Sequence, residues 1–203
     1  MKLKLAIMIL MCTGCSIVSP PAPGPRPSTW ATPVSSSPGL PNLNRINANL
    51  YRSAQPTLEG FRFLGTNPSI YAGDRSIKTI ISLRAFNDDK DLGAEESGLR
   101  LEQIYFNTWH AEDADVIKFL RIATTPGMQP VLVHCKHGSD RTGTMVAIYR
   151  IVVQGWPKVE AMDEMVQGGY GFHPMWQNLL HYIGELDVET IKVQLKELGD
   201  WKE

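Results

Sequence analysis

The segment 134–143 reads His-Cys-Lys-His-Gly-Ser-Asp-Arg-Thr-Gly and carries the residue types best suited to chemistry. Apolar residues predict a strand before it, at 131–133, and a helix after it that contains Met145 and Ile148. A loop between a strand and a helix turns its backbone N–H groups inward, and the helix N-terminus favours negative charge. The segment is therefore predicted to bind an anion, with Gly138 allowing the tight curl.

Cys135 and Arg141 stand six positions apart in this loop. A thiol is a good nucleophile only when ionised, and a helix N-terminus or nearby cations lower its ordinary pKa of ~8.5. The planar guanidinium of Arg141 can bind two phosphate oxygens at once. Because six positions around a curled loop bring Arg141 back to face Cys135, the pair predicts thiolate attack on a phosphate ester.

The pattern His-Cys-x5-Arg-Thr-Gly on a strand-loop-helix resembles the signature of cysteine-dependent protein tyrosine and dual-specificity phosphatases. The resemblance implies that Cys135 is the nucleophile and Arg141 the phosphate clamp. It also implies that His134 supports the thiolate and that the Thr142 hydroxyl helps the sulfur to leave. The other residues of the loop are then expected to bind the substrate phosphate: Lys136, His137, Gly138, Ser139 and Asp140.

The resemblance extends beyond the loop, over roughly residues 45 to 185. The run 51–56, Tyr-Arg-Ser-Ala-Gln-Pro, and the strand ending Ser-Leu-Arg at Arg84 are similar to compact atypical dual-specificity phosphatases of bacteria, plants and fungi. Arg52 and Arg84 could approach the phosphate, although buried ion pairs are the more common use of such arginines. His173 is a further candidate for the rim of the pocket.

A general acid is the second requirement of this chemistry, because a positioned carboxyl that protonates the leaving oxygen contributes ~10²–10⁴-fold. The candidates lie in the segment 109–113, Trp-His-Ala-Glu-Asp. The resemblance favours Asp113, at the start of the helix that precedes the central strand, with Glu112 second. The alternative is that Asp113 is only a helix N-cap. His110 could also donate the proton, although a loop histidine is more often simply solvated.

Substrate preference is left open by the charges of the loop. Lys136 and His137 resemble the basic loop of phosphatases that act on phosphoinositides or inositol phosphates, whereas Asp140 opposes a highly charged substrate. A metal site made of His134, Cys135 and His137 does not fit the usual paired ligand spacings of zinc. We therefore expect no metal and no cofactor.

The elements that must position this loop predict an α/β fold, with a central and mainly parallel sheet flanked by helices and a helical C-terminal part. Strands are predicted at 50–53, 77–83 and 131–133. Helices are predicted from Asp113 to about 125, around 145–152, after Pro157, at 174–186 and at 187–198. In the helix after Pro157, the residues expected to face inward are Val159, Met162 and Val166.

The N-terminal residues predict export. Lys2 and Lys4 precede an apolar run that is too short to span a bilayer, which gives a signal peptide over 1–15. Cys15, directly after Gly14, resembles the lipidated cysteine of a bacterial lipoprotein, and plain secretion is the alternative. Residues 16–41 are Pro- and Ser-rich and predict an extended linker before a phosphatase domain at 42–203.

The predicted function is hydrolysis of phosphoric monoesters by a protein tyrosine or dual-specificity phosphatase in the cell envelope, on its periplasmic or surface face, as a monomer. A net charge of −1 argues against a nucleic-acid partner. The alternatives are a phosphatase of inositol phosphates or phosphoinositides and a catalytically silent phosphate-binding envelope protein. Sulfur transfer of the rhodanese kind is a further rival, although it seldom needs the Arg-Thr-Gly ending.

Overall fold

The structure is a computed structural model that describes residues 25–35, 37–66, 69–86 and 88–199. The predicted signal peptide 1–15, the candidate lipidation site Cys15 and the first part of the predicted linker 16–41 lie outside these residues. Over the described part of the chain, no helix has the length and apolar character that crossing a membrane requires.

Within the described residues, six strands form a single mixed sheet. They are β1 (Thr32–Pro33), β2 (Asn44–Asn47), β3 (Leu50–Ser53), β4 (Thr79–Ser82), β5 (Arg100–Gln103) and β6 (Val131–His134). The helices are α1 (Leu58–Thr66), α2 (Asp113–Thr124), α3 (Asp140–Val152), α4 (Lys158–Gln167), α5 (Gln177–Glu185) and α6 (Val188–Glu197). Two short 3₁₀ helices, Lys90–Leu92 and Ala94–Ser97, lie in the charged stretch between β4 and β5.

The strand order is β1-β2-β3-β6-β4-β5, with β6 inside the sheet between β3 and β4. The pairings among β3, β6, β4 and β5 are parallel, whereas β1, β2 and β3 pair antiparallel. The predicted α/β class with a mainly parallel sheet is therefore confirmed. In register, Ser53, Ser82 and His134 end their strands side by side, so the loop after His134 leaves from the carboxyl edge of the sheet.

The two faces of the sheet are covered by different helices. Val131 and Val133 of β6 pack on a large cluster with apolar residues of α2 to α6, whereas Leu132 packs on a smaller cluster with Phe61 and Leu64 of α1. Helix α3 is buried along nearly its whole length. The central strand is thus apolar on both sides, as expected of a parallel strand covered on both faces.

Helix α4 does not bury the residues expected from its sequence. Val159 is 60% and Val166 41% exposed, while Ala161, Glu164 and Met165 are buried. Met162 packs against the core as predicted, but the prediction is wrong for Val159 and Val166, because the buried face includes Glu164, which is only 2% exposed and pairs with Arg150 of α3. A buried ion pair reverses the apolar face that hydrophobic spacing alone indicates.

The structure also differs from the predicted linker over residues 25–35 and 37–41, because this segment packs on the domain. Ala31 and Leu40 are buried, and Thr32 and Pro33 pair with β2. The packing partners include Glu164 and Gly168, which are far away along the chain. Because these contacts are with distant residues, the sequence of the segment shows no hydrophobic periodicity that would predict them. Its high proline content instead indicates an extended linker.

Candidate active site

The loop between β6 and α3 brings the predicted nucleophile and its surroundings together. Cys135 directly follows β6, is 2% exposed and is a free cysteine. Ser139 is the N-cap residue of α3, and Gly138 has a left-handed φ of +72°. A Cβ atom on Gly138 would lie 2.5 Å from the Ser53 carbonyl oxygen, so only glycine fits where the loop curls against the end of β3.

Arg141 stands in the first turn of α3 and is half-buried. Its Nη1 donates a hydrogen bond of 3.1 Å to the carbonyl oxygen of Leu83, directly after β4. This contact fixes one side of the guanidinium to the neighbouring strand. The remaining N–H groups of its fork keep the capacity to bind phosphate oxygens.

A second cation, Arg52 of β3, is fully buried beneath the loop. Its Nη2 donates to the Gly138 carbonyl oxygen at 2.6 Å, and its guanidinium lies 3.7 Å from the ring centroid of Tyr170. Burial lowers the pKa of Arg52 to about 10, although the nearby Tyr170, Glu164 and Cys135 favour its charged form. Arg52 therefore remains a cation at neutral pH, held against a carbonyl oxygen of the loop that carries Cys135.

This arrangement corrects the expectation of a buried ion pair at Arg52. In the described part of the chain, its partners are a carbonyl oxygen and an aromatic ring rather than a carboxylate. The parallel register places Arg52 beside Val133, two residues before Cys135. That pairing between strands is the signal that could have identified it, and a single sequence does not reveal it.

His134, the last residue of β6, is completely buried and belongs to a hydrogen-bond network with Asp89 and Gln55. One ring nitrogen, Nε2, lies 2.7 Å from Oδ2 of Asp89, whose Oδ1 also accepts from Gln55 at 2.9 Å. Burial alone would raise the pKa of Asp89, but the hydrogen bond and charge of His134 hold it below its ordinary value. Because an ionised carboxylate only accepts, Nε2 of His134 carries a proton.

Several buried polar atoms near the loop have no hydrogen-bond partner within the described residues. They are Nε and Nη1 of Arg52, Oγ of Ser82, Nδ1 of His134 and Oγ1 of Thr142. Buried polar groups are rarely left unpaired, and exceptions often mark functional sites. Their concentration at the carboxyl edge of the sheet and the first turn of α3 supports this edge as the site.

The mouth of the loop carries Lys136 and His137, which are both exposed. Partial burial and the charges of Lys136 and His173 lower the pKa of His137. The rings of His137 and His173 lie 5.3 Å apart. This places His173 at the rim and gives the mouth imidazoles that can donate hydrogen bonds to an anion.

Asp140, expected among the substrate-binding residues, has its carboxylate engaged by the protein. Oδ1 accepts from the His173 backbone N–H at 2.9 Å, and Oδ2 contacts His173 Nδ1 at 2.8 Å and Ser139 Oγ at 3.0 Å. Asp140, His137 and His173 each offer one ligand atom within 4.8 Å of the other two. This group differs from the set His134, Cys135 and His137 that was considered as metal ligands from the sequence. The hydrogen bonds of Asp140 to His173 indicate that Asp140 anchors the segment around His173.

Asp113 begins α2, as predicted, and its exposed carboxylate accepts a hydrogen bond of 2.6 Å from the Tyr182 hydroxyl of α5. Burial and this carboxylate raise the pKa of Tyr182, which therefore stays a donor. Glu112 is the N-cap residue of α2 but makes no capping hydrogen bond through its side chain. Its carboxylate lies 3.9 Å from Nε2 of His110.

The segment before Asp113 is joined to the segment that Asp140 anchors. The ring centroids of Trp109 and Trp176 lie 4.7 Å apart, and Asn178 donates to the Thr108 carbonyl oxygen at 2.8 Å. Contacts therefore run from the loop through His173 to the stretch that carries the candidate acid. Sequence reasoning missed Asp89 altogether, because it lies in a charged stretch whose packing against His134 has no local signature.

Comparisons with known proteins agree with this geometry. The family described as DSP-PTPase phosphatase fused to NAD+ Kinase matches residues 32–171. The chain is 34% identical over 172 residues to the dual specificity protein phosphatase TpbA of Pseudomonas aeruginosa strain UCBPP-PA14, covering 84% of this chain and 73% of TpbA. It is 28% identical over 161 residues to the inositol diphosphatase DSP5 of Arabidopsis thaliana, covering 75% and 72% of the two chains.

Among solved structures, a P. aeruginosa TpbA variant in complex with pTyr superimposes with a TM-score of 0.68 at 32% identity. The match covers 85% of this chain and 99% of the TpbA chain. The sheet and helices described above are therefore those of a phosphatase fold.

Proposed function

Because the chain belongs to the DSP-PTPase family of cysteine-dependent phosphatases, we propose that Cys135 hydrolyses phosphate monoesters through a phosphocysteine intermediate. The observation that carries the proposal is the buried Cys135 thiol in a strand-loop-helix turn, with the Arg52 guanidinium hydrogen-bonded to the Gly138 carbonyl oxygen of the same loop. A nearby cation and a helix N-terminus both favour the thiolate. The same positive field favours a phosphate dianion.

In the first step, the thiolate of Cys135 attacks phosphorus in line with the leaving oxygen. An S–P bond forms as the P–O bond breaks, and Asp113 gives its proton to the departing alkoxide or phenolate. Arg141 and the backbone N–H groups of the loop hold the charge on the equatorial oxygens. The products of this step are the free alcohol and a phosphocysteine.

In the second step, water attacks the phosphocysteine and the Asp113 carboxylate takes its proton. The S–P bond breaks, inorganic phosphate leaves and the thiolate is restored. The hydroxyl of Thr142, whose Oγ1 is buried without a partner among the described residues, donates to the departing sulfur. His134 supports the same sulfur through its position at the end of β6, with Asp89 fixing its ring.

The substrate class that we propose is a phosphorylated protein, with phosphotyrosine foremost. Support comes from TpbA, a dual specificity protein phosphatase of which one structure contains pTyr. The sequence 51–56, Tyr-Arg-Ser-Ala-Gln-Pro, that first suggested the atypical dual-specificity group lies along β3 and directly after it.

Inositol phosphates are the second candidate substrate. Exposed Lys136 and His137 at the mouth, and the relative DSP5, an inositol diphosphatase, favour them. The anchoring of Asp140 by His173 engages the acidic side chain that would otherwise oppose a polyphosphate. Hydrogen-bonded to these partners, Asp140 exerts a weaker repulsion on the substrate than a free carboxylate would.

The test is phosphate release by the purified protein from phosphotyrosine peptides, phosphoserine peptides and inositol phosphates, in reductant and without added metal. Cys135→Ser is run beside the parent. We expect release by the parent, no release by Cys135→Ser, and retained binding of phosphate by the variant. Near-normal turnover by Cys135→Ser would contradict the proposal, and no release from any substrate would favour the silent phosphate-binding alternative.

We propose further that the protein resides in the cell envelope, held there by lipid on Cys15. The support is the sequence alone: the charged and then apolar stretch before Gly14 and Cys15. Metabolic labelling with a radioactive fatty acid is expected to mark the parent and not Cys15→Ser. Equal labelling of both, or of neither, would leave plain secretion as the better account.

A further inference from the structure

The segment 25–35, here called the N-terminal strap, is fastened to the loop after α4 by Arg26. One guanidinium nitrogen of Arg26 donates to the Gly168 carbonyl oxygen, and the other donates to Ala31 O at 2.6 Å and to the Tyr170 hydroxyl at 2.8 Å. Three acceptors on one planar fork define its orientation. The strap therefore has a specific attachment point rather than a diffuse apolar contact.

Glu164 provides the second attachment of the strap. Its Oε1 accepts from the Ala31 backbone N–H at 2.6 Å and from the Tyr170 hydroxyl at 3.1 Å. Both carboxylate oxygens also bind Arg150. Because Glu164 is only 2% exposed, these hydrogen bonds lie in a low-dielectric interior where losing one is costly.

Tyr170 joins the strap to the catalytic loop. Its hydroxyl accepts from Arg26 and donates to Glu164, while its ring lies against the guanidinium of Arg52 at 3.7 Å. Arg52 in turn donates to the Gly138 carbonyl oxygen at 2.6 Å. A continuous set of contacts therefore leads from Arg26 to the loop that contains Cys135.

Arg52 depends strongly on this support. It is fully buried, two of its three guanidinium nitrogens have no partner in the described part of the chain, and only Gly138 accepts from it. A buried charge with so few hydrogen bonds is held in place by its neighbours. Movement of the Tyr170 ring would move the cation that is hydrogen-bonded to the loop containing Cys135.

We propose that Arg26 of the N-terminal strap is a positioning residue for the phosphatase reaction, which acts through Tyr170 and Arg52 on the geometry and charge around Cys135. The inference rests on the proposed role of Cys135 and adds to the active site a segment that is remote in sequence. The competing account is that the strap only stabilises the fold.

The test uses the full chain, with Arg26→Ala and Arg26→Lys compared with the parent. Two readouts are needed: the pH dependence of Cys135 alkylation by iodoacetamide, and kcat and KM for an aryl phosphate. We expect Arg26→Ala to displace the alkylation profile to higher pH and to lower kcat about tenfold, with KM changed less than about twofold. Arg26→Lys should recover part of the loss, because it keeps the charge without the fork.

Arg62→Ala is the matched control, since the side chain of Arg62 on α1 forms an exposed ion pair with Glu96 of the second 3₁₀ helix. The other charged groups of the loop and of its direct contacts remain in every variant, so a shifted alkylation profile reports on the contacts that lead from Arg26 through Tyr170 to Arg52. They are Arg52 of β3, Arg141 and Asp140 of α3, Lys136, His137 and His134 of the loop and strand end, and Asp89 beside His134.

Two outcomes would overturn the inference. An Arg26→Ala protein that melts at a lower temperature but keeps the parent alkylation profile and kcat has lost only a stabilising contact. If Arg26→Ala does not fold, Tyr170→Phe decides the matter, because it keeps the ring on Arg52 and loses the hydroxyl contacts; an unshifted profile there also overturns it. A parent that alkylates normally but releases no phosphate refutes the proposed function. The alkylation profiles of the variants still test whether Arg26 acts on the loop through Tyr170 and Arg52.

Discussion

At the scale of single residues, two buried groups support the residues on either side of Cys135, and of these sequence reasoning considered only Arg52, expecting an ion pair for it. Arg52 supplies positive charge from β3, and the Asp89 carboxylate fixes the ring of His134 at the end of β6. Arg52 hydrogen-bonds to the Gly138 carbonyl oxygen at 2.6 Å and Asp89 to His134 at 2.7 Å, in a buried region where electrostatic effects are strong. The chemistry therefore depends on residues that need not touch the substrate.

Asp89→Asn tests this dependence. The variant keeps the shape of the side chain but removes the charge that fixes the protonated Nε2 of His134, so the ring loses its defined orientation. We expect kcat to fall roughly 10-fold or more, with the fold retained. Steady-state kinetics and circular dichroism measure the two quantities.

Asp88→Asn is the matched control, because Asp88 is the exposed neighbour and its carboxylate accepts from the Lys90 backbone N–H at 3.0 Å. Its kcat should stay within about twofold of the parent. Equal losses in the two variants would mean that the charge of this loop, rather than the contact with His134, matters.

Asp113→Asn tests the assignment of the general acid. An alkyl phosphate has a poor leaving group and needs protonation, so kcat for it should fall ~10²–10⁴-fold. An activated aryl phosphate should lose far less. Glu112→Gln, altered at the exposed N-cap position next to it, serves as the control; losses of the same size for both substrates in Asp113→Asn would remove Asp113 from the mechanism.

At the scale of elements, the catalytic loop is shaped by its contact with the end of β3. Gly138→Ala combines a left-handed φ of +72° with a Cβ only 2.5 Å from the Ser53 carbonyl oxygen. We expect at least about a hundredfold loss of kcat/KM, because the loop must move away from β3 and displace Cys135. Kinetics with an aryl phosphate measures it.

Gly155→Ala separates backbone strain from the contact. Gly155 has a similar φ of +69°, and its added Cβ meets no atom within 4 Å. Both variants bear the cost of a left-handed alanine, roughly 1–2 kcal/mol, but only Gly138→Ala disturbs the loop. A comparable loss of activity in Gly155→Ala would show that general destabilisation explains the effect.

The elements themselves were largely predictable where apolar residues repeat along a continuous stretch. The predicted strand at 50–53 coincides with β3, and the helix predicted from Asp113 coincides with α2, including its buried Val116 and Phe119. The buried face of α4 was not predictable, because Glu164 is buried by its partner Arg150 rather than by hydrophobicity. Strand β5, with its sequence Arg-Leu-Glu-Gln, is recognised only through its pairing with β4.

At the scale of the whole molecule, the part of the site that lies in one continuous segment was predictable, whereas the part made by distant segments was not. The segment 134–143 is contiguous, so its residue types and its place between a strand and a helix could be read from the sequence alone. Arg52, Asp89, His173 and Arg26 join it from four different parts of the chain. Nothing in their local sequence encodes those contacts, which follow from the order of the strands in the sheet.

The stability of the whole fold is expected to depend on pH through carboxylates that are hydrogen-bonded in the folded protein, of which Asp74 is the main example. Asp74 accepts from Arg45 Nε at 2.5 Å and Nη2 at 3.0 Å and from the Tyr51 hydroxyl, and its side chain is 6% exposed. The hydrogen bond from Arg45 holds the pKa of Asp74 below its ordinary value, and that of Asp89 is also low. The contacts join the segment before β4 to β2 and β3.

A lowered folded-state pKa means that the unfolded chain binds more protons as the solution becomes acidic, so stability rises with pH in that range. The contribution of Asp74 should be complete above about pH 5 and be lost as pH falls below the ordinary carboxyl pKa of ~3.9 towards the folded-state pKa. We expect urea titrations of the parent to give a constant free energy of unfolding between about pH 5 and 7 and a steep decline below about pH 4.

Asp74→Asn should lower that free energy by about 1–3 kcal/mol at pH 7, because it removes a charged acceptor. The difference from the parent should shrink towards zero as the pH falls, since protonation of Asp74 removes the same charge. Asp91→Asn, at an exposed position in a short 3₁₀ helix, should follow the parent at every pH. Parent and Asp74→Asn curves that stay parallel into the acid range would mean that the contacts of Asp74 hold the fold by shape rather than by charge.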